Sequence, residues 1–168
     1  MKKLDFILAA ACMCAQAACA AEADHMKALA ARLSAEGGAV FPIGVPNDRF
    51  AQYFTGPSYV ALLAREAPTV NVTFEEGAHT VWHIHHGTCQ VLLGASGRGA
   101  YQIWGQPVRK LNPGDSVTIP EGVKHWHGAA PGHCFQHVAV MEAKSGIFTE
   151  WLEPVDETAI AAAFADDR

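Results

Sequence analysis

Apolar residues between positions 41 and 141 come in short runs separated by glycine, proline, asparagine and aspartate. Runs of this kind, bounded by turn-forming residues and often alternating with polar ones, are typical of β-strands. Many short strands at close spacing indicate an all-β sandwich or barrel. The sequence therefore predicts an all-β fold, with strands at residues 59–63, 70–74, 80–85, 90–93, 99–104, 116–119 and 134–141.

Short helices are predicted on both sides of this β region. Apolar residues recur at helical spacing over residues 25–35, and Gly37 and Gly38 end that pattern. Residues 156–164 begin with an acidic turn and predict a second short helix. No internal repeat or linker marks a second domain. The predicted order is a helical extension at residues 21–40, a β domain at residues 41–155 and a helical tail at residues 156–168.

The charge balance limits the partners of the protein. The 168 residues include 12 Lys and Arg against 17 Asp and Glu, a formal net charge of −5, and the basic residues form no run. Binding to a phosphate backbone needs clustered Lys and Arg. We therefore expect no nucleic-acid partner.

The first twenty residues resemble a secretory signal peptide. Lys2 and Lys3 precede an apolar run at residues 6–15, and residues 18–20 offer a small-x-small cleavage site. The run is too short to span a bilayer, so we expect no membrane partner for the mature chain. A signal peptide at residues 1–20 predicts export to the periplasm or secretion. The alternative is a cytoplasmic protein with an N-terminal helix.

Five cysteines are present, and three of them lie in this leader. Cys12 and Cys19 follow residues that suit an acylation site poorly, so lipidation is the less favoured outcome. Only Cys89 and Cys134 remain in the mature chain, and two thiols do not make a disulfide framework. We expect both to point outward, with a disulfide between them as the alternative.

The string TVWHIHHGTCQ is unusually rich in histidine. Side chains two positions apart on a strand point to the same face, so His83 and His85 project together and Trp82 points the other way. Gln90 opens the next predicted strand after a short loop, and its side chain can turn back toward the two histidines. His86 is expected to face away.

A second cluster repeats the alternation. His125 and His127 share one face, Trp126 takes the other, and a third strand adds His137. A buried histidine without a polar partner is costly. Several imidazoles converging in a small barrel therefore favour a metal site over separately satisfied histidines. The three remaining histidines are expected to be solvated: His25, His79 and His133.

These residues resemble the two sequence motifs of the cupins. The first motif runs, in chain order, from a glycine through a His-x-His pair and a Glu to a second glycine. The second motif runs from a glycine through Pro-x-Gly and a His to an Asn. At the family spacings this chain has Gly77, His83, His85, Gln90, Gly97, Gly114, Pro120, Gly122 and His125. Gln90 replaces the usual Glu, and Ala129 replaces the usual Asn. The resemblance covers roughly residues 41–154 and implies a double-stranded β-helix, or jelly-roll barrel, as the cupin domain.

The glutamine narrows the resemblance to small cupins with three histidine ligands and one glutamine. These include manganese-dependent hydroxynitrile-lyase-like proteins and cupins grouped with the carboxymuconolactone decarboxylase family. Residues 71–75, 123–128 and 150–154 also look like that subgroup. By this resemblance the metal ligands are His83, His85, Gln90 and His125, while His127 and His137 line the pocket.

Such a ligand set is neutral, so a bound divalent ion would keep its charge, favour anionic ligands and act as a Lewis acid. Imidazole-rich sites accept several transition metals. The resemblance favours one Mn(II) ion, with Fe(II), Ni(II), Zn(II) or Cu(II) as alternatives.

The predicted function is that of a secreted metal-dependent enzyme acting on a small-molecule substrate, of lyase, decarboxylase or isomerase type. His127 and His137 are candidates for general base and acid, because an imidazole titrates near neutrality; otherwise they orient the ligands. Two other functions stay open, an Fe(II) dioxygenase and a non-catalytic protein that binds a metal or metabolite. Cupins often dimerise through their sheets, so the resemblance also implies a homodimer.

Overall fold

The computed structural model describes residues 2–165, with side chains from residue 17 onward. Over these residues the chain forms two α-helices, one 3₁₀ segment and eleven strands. The helices are α1 (Lys2–Ala35) and α2 (Glu157–Ala163), and the 3₁₀ segment is Asp48–Tyr53. The strands are β1 (Val45–Pro46), β2 (Ser58–Ala64), β3 (Thr69–Phe74), β4 (His83–His86), β5 (Gln90–Gly97), β6 (Gly99–Ile103), β7 (Arg109–Leu111), β8 (Ser116–Ile119), β9 (His125–Ala129), β10 (Phe135–Met141) and β11 (Phe148–Trp151).

The strands form two antiparallel sheets that face each other. One sheet has the order β1-β2-β3-β10-β5-β8, and the other has the order β11-β4-β9-β6-β7. Alternate side chains of each sheet point inward, and the apolar ones form a core that includes Phe74, Leu92, Leu111, Ile119 and Phe135. This arrangement confirms the predicted all-β, jelly-roll fold with a helix at each end, although α1 is longer than the short helix predicted.

Each strand predicted from the sequence is present. Strand β9 corresponds to the alternation predicted around His125 and His127, which was not among the predicted strand ranges. The structure adds three further short strands that the sequence did not predict, β1, β7 and β11, and it begins β4 at His83 instead of at Thr80. Val45–Pro46 and Arg109–Leu111 are only two and three residues long. Such segments have too little periodicity to be recognised before their neighbours in the sheet are known.

Helix α1 runs without a break from Lys2 to Ala35. Its last turns place Leu29 and Leu33 against Ile43, Tyr59 and Cys134, which confirms the predicted helix at residues 25–35. The continuous helix does not separate the predicted signal peptide from the extension, so cleavage after residue 20 stays a prediction. In the described part of the chain, no helix is both long and apolar enough to cross a membrane.

The prediction for Cys134 was wrong. This side chain is buried under α1 instead of pointing outward, and burial raises the pKa of its thiol. Cys89 is partly buried, and both thiols are free, so the two residues form no disulfide.

Helix α2 confirms the predicted C-terminal helix and covers the outer side of the five-stranded sheet. The side chain of Asp156 caps it by accepting a hydrogen bond from Thr158 N at 2.9 Å. Ile160 packs in one cluster with Trp82 and Trp126. The two tryptophans therefore face away from the barrel interior, as the alternation predicted.

His79 is not solvated, so that expectation was wrong. Its side chain is 1% exposed, and its Nε2 and Nδ1 atoms lie 2.8 Å from Glu157 Oε1 and 2.9 Å from Thr80 O. The ring also packs against Trp126. Helix α2 brings Glu157 to this position from the far end of the chain, which no local pattern around residue 79 indicates.

Candidate metal centre

Three histidines from two neighbouring strands meet inside the barrel. His83 and His85 lie on β4, and His125 lies on β9 directly opposite His83 in the strand register. Their potential ligand atoms all lie within 4.8 Å of one another, and all three side chains are buried. The two-residue alternation therefore brings together the predicted pair and the predicted third histidine.

Hydrogen bonds fix the orientation of these rings. The Nδ1 atoms of His83 and His125 lie 3.0 and 2.9 Å from the carbonyl oxygens of Val81 and Val123. A carbonyl oxygen only accepts, so each Nδ1 bears the proton and each Nε2 keeps a free lone pair. The two rings are thereby held in the tautomer that a metal needs.

His85 completes the cluster with a different partner. Its Nδ1 atom lies 3.0 Å from the hydroxyl oxygen of Thr149 on β11. Its Nε2 atom is buried and has no hydrogen-bond partner. An unpartnered buried nitrogen costs free energy, whereas a metal ion beside it would use the lone pair.

Gln90 lies where the resemblance requires it. Its Oε1 atom is 3.1 Å from Nε2 of His125, and the side chain is buried. Because Nδ1 of His125 already donates to Val123, two lone pairs face each other across this distance. A cation bound between them removes the repulsion, so the donor set fits a divalent metal.

The protonation states agree with this fit. Burial lowers the pKa of His125 to about 4, and it lowers the pKa of His83 well below the ordinary value. The pKa of His85 is also lowered, chiefly by burial. All three imidazoles are therefore neutral near neutral pH, which is the form that binds metals.

A second histidine pair lies beside the cluster. His137 Nε2 is 3.0 Å from His127 Nδ1, and both residues line the same cavity as His83. Burial lowers the pKa of His137 to about 3 and that of His127 well below its ordinary value. Nδ1 of His137 is buried without a partner. The pair thus supplies neutral imidazoles next to the candidate metal ligands.

The cavity in front of these histidines has a volume of about 250 Å³. Its remaining walls are mostly apolar: Phe50, Phe54, Val60, Val70, Val72, Ala139, Met141 and Trp151. A small molecule bound here would place its polar atoms at the histidines and its apolar part against these walls. A larger cavity, of about 490 Å³, lies beside Phe41, Leu93 and Pro113, but none of its lining residues is ionisable.

Two residues of β11 belong to the site and were not predicted as part of it. Thr149 bonds to His85, and the ring of Trp151 lies 5.0 Å from that of His83. Thr149 and Trp151 alternate with Phe148 and Glu150, so a two-residue period was present in the sequence. His86, by contrast, faces outward as predicted and bonds to Glu150.

Comparison with known proteins identifies the family. A family model described as a cupin domain matches residues 70–134. An (R)-mandelonitrile lyase from Granulicella tundricola is 38% identical over 112 residues, which cover 64% of this chain and 85% of that protein. The chain is a cupin. Neither match is to a carboxymuconolactone decarboxylase, so that part of the resemblance stays a prediction.

Solved structures agree with this assignment. A cupin-like protein from Thermotoga maritima is 36% identical with a TM-score of 0.65, and the match covers 74% of this chain and 96% of that one. A DMSP lyase from Ruegeria pomeroyi shares the fold. It is 19% identical with a TM-score of 0.50, and the match covers 74% of this chain and 61% of that one. With the three-histidine cluster, these findings support a metal-dependent cupin enzyme in general.

Proposed function

We propose that this cupin is a lyase that cleaves small 2-hydroxynitriles into a carbonyl compound and hydrogen cyanide. The facing lone pairs of His125 and Gln90, at 3.1 Å inside a cavity lined by apolar residues, are the observation that carries the proposal. A cation beside these two atoms would remove the repulsion between their lone pairs, and it would lie at the end of a pocket suited to a small, largely apolar molecule. The relative named a mandelonitrile lyase supports the choice of reaction.

The residues that would hold the metal are His83, His85, Gln90 and His125. When bound, the ion supplies a Lewis acid at the end of the cavity. Because the four donors are neutral, they leave the charge of the ion available to an anionic ligand. We propose Mn(II) as the ion, from the resemblance to manganese-dependent cupins.

His127 is the proposed base. If its Nδ1–H donates to His137 Nε2 at 3.0 Å, its own Nε2 keeps a lone pair that can accept a proton. In the reaction this nitrogen takes the proton of the substrate hydroxyl, and the oxygen electrons form the carbonyl bond. The carbon–carbon bond breaks, and its electron pair leaves with cyanide. The same imidazolium then returns the proton, so that hydrogen cyanide is released and His127 is neutral again.

The other walls orient the substrate and exclude water. Val70, Val72 and Ala139 lie on β3 and β10, whose pairing fixes their positions. An apolar group in contact with them leaves its hydroxyl and nitrile as the atoms that face the histidines. Burial lowers the pKa values of His127 and His137, so both rings are neutral near neutral pH and His127 has a lone pair free to accept a proton.

A panel of 2-hydroxynitriles tests this function. Purified protein loaded with Mn(II) should release cyanide and the matching aldehyde or ketone in equal amounts, without consuming oxygen. Oxygen uptake coupled to turnover would instead identify a dioxygenase. Metal binding without any product from the panel would oppose the lyase proposal and favour a binding protein.

We also propose that residues 1–20 are removed on export. Residues 17–24 of α1 are all exposed, and side-chain contact with the barrel is made by His25, which bonds to Glu75 at 2.8 Å. Cleavage after Ala20 would therefore leave the docked turns of α1 in place. Mass spectrometry of the periplasmic protein should give an N-terminus at Ala21; a full-length cytoplasmic product would contradict export.

A homodimer is the proposed assembly. Leu62 and Leu93 are 49% and 40% exposed on strands of the six-stranded sheet, and Val45 of its edge strand is 68% exposed. A second copy of the chain would cover these apolar side chains. Light scattering should give twice the mass of one mature chain, and replacement of Leu62 by Arg should lower that mass.

A further inference from the structure

The 3₁₀ segment Asp48–Tyr53 borders the mouth of the metal-site cavity. Phe50 lines the cavity from this segment, and Asn47 and Phe54 line it from the flanking positions. None of the six residues of the segment is buried, and Phe50 is 37% exposed. Phe50 therefore contacts both the cavity and the solvent.

The segment is tied to the barrel at its two ends. Asn47 N donates to Ser58 O at 2.9 Å, and Val81 N donates to Tyr53 O at 2.9 Å. Phe54, just beyond, stacks on the core residue Phe74 at 5.8 Å. Phe54 is thus part of the core packing, whereas Phe50 reaches the cavity from a segment that buries none of its residues.

Trp151 is the aromatic residue that links this segment to the histidines. Tyr53 stacks on it with ring centroids 4.5 Å apart and an angle of 4°, and the Phe50 ring lies 6.1 Å away. On its other side Trp151 lies 5.0 Å from the ring of His83. A molecule that reaches the histidines is therefore bounded by Trp151 on β11 and by Phe50 at the mouth.

We propose that Phe50 sets the upper size of the molecule that the cavity admits, at about one aromatic ring attached to a carbonyl or 2-hydroxynitrile group. The proposal rests on the proposed function for the polar end of the ligand, and it adds the residue that limits the apolar end. The other apolar walls described above are strand residues or core-packed rings. Among these walls Phe50 alone lies neither on a strand nor against the core, and its segment Asp48–Tyr53 has no buried residue.

Calorimetry with two unreactive ketones of different size tests this proposal. The probes are acetophenone, with one ring, and 2-acetonaphthone, with two fused rings. In Phe50→Ala the affinity for 2-acetonaphthone should rise by about tenfold or more, while that for acetophenone changes by less than about threefold, since the fit of one apolar group in a pocket changes affinity by roughly this much. Phe50→Leu should give an intermediate ratio and guards against a folding defect in the alanine variant.

Phe148→Ala is the matched control. Phe148 is 58% exposed and stacks on His86 outside the cavity, so its replacement should leave the ratio of the two affinities at the wild-type value. An equal ratio in wild type, Phe50→Ala and Phe148→Ala would overturn the role of Phe50. The absence of ketone binding in every variant would overturn it too, because the cavity would then admit neither ring.

A separate probe distinguishes this failure from failure of the proposed function. Azide is small enough to pass Phe50 and should bind to Co(II)-loaded wild type and Phe50→Ala with the same affinity, detected by the visible spectrum of the ion. Loss of the azide response would contradict the metal site, while the ketone comparison, repeated on metal-free protein, would still decide the role of Phe50.

Discussion

Gln90 Oε1 and His125 Nε2 lie 3.1 Å apart, and both atoms are hydrogen-bond acceptors in the tautomer that Val123 imposes. Two buried acceptors at this distance repel each other unless a cation or a proton lies between them. The pKa of His125, lowered by burial to about 4, makes a proton there unfavourable near neutrality. A metal ion would remove the repulsion, and this geometry supports the proposal that Gln90 is a ligand in place of the family carboxylate.

The charge of residue 90 should control anion binding. Gln90→Glu adds one negative charge to the ligand set, so the metal centre should bind azide more weakly, by about tenfold. The measurement is an azide titration of the Co(II)-loaded protein. Gln106→Glu adds the same charge at an exposed turn and should leave the affinity unchanged. Tighter azide binding in Gln90→Glu would contradict the neutral donor set.

Removal of two histidines should abolish metal binding. The double variant His83→Ala/His85→Ala loses two of the three converging imidazoles and should contain less than about a tenth of an ion per chain, against about one in the wild type. Elemental analysis gives the content, and circular dichroism checks the fold. His86→Ala, from the outward face of the same strand, is the control and should keep its metal. Stoichiometric metal in the double variant would place the site elsewhere.

Thr149 should contribute to metal affinity through His85. The hydroxyl lies 3.0 Å from His85 Nδ1, so Thr149→Val, which keeps the shape of the side chain, removes the bond that orients the ring. Loss of such a partner typically lowers metal affinity by roughly 10- to 100-fold. Competition with a chromogenic chelator measures the change. Thr149→Ser keeps the hydroxyl and should restore most of the affinity; equal losses in both variants would indicate a packing effect.

The central part of the site could be predicted from the sequence because it depends on local alternation. His83 and His85, like His125 and His127, share a face through the two-residue period of a strand, and cupin spacing joins the pairs. Gln90 opens β5 immediately after β4, so it also lies within reach.

The parts that could not be predicted depend on distant segments. Thr149 and Trp151 reach the site only because β11 pairs with β4. Cys134 and His79 were wrongly expected to be outward or solvated, because the helices that cover them come from opposite ends of the chain. A local pattern gives the face of a side chain but not the element that later covers it.

Burial of the histidines should make the metal-free protein less stable in acid. Burial lowers the pKa of His137 to about 3 in the folded state, against about 6.5 in the unfolded chain. Below that unfolded value the unfolded chain binds a proton that the folded chain does not, so the free energy of unfolding falls as pH decreases toward 3. At about pH 5 this histidine should account for a loss of about 2 kcal/mol.

His137→Gln isolates that contribution. Between about pH 7 and pH 5, urea unfolding of the metal-free variant should show a smaller loss of stability than the wild type, by about 2 kcal/mol. A general destabilisation by the substitution affects both pH values and cancels in the difference. The same loss in both proteins would mean that His137 titrates alike in the folded and unfolded chains.

His127 should matter for turnover more than for metal binding. It lies on β9 two positions after His125, bonds to His137 at 3.0 Å and lines the cavity. If its Nε2 takes the substrate proton, His127→Ala should keep the metal while kcat falls by about 10²- to 10⁴-fold, the usual effect of one acid–base group. The readouts are cyanide release and elemental analysis on the same sample.

An orienting role for His127 would instead lower metal affinity by roughly 10- to 100-fold and keep the pH profile of kcat. Full activity with full metal content in His127→Ala would remove this residue from the mechanism, and His137→Ala would then be the variant expected to lose the base.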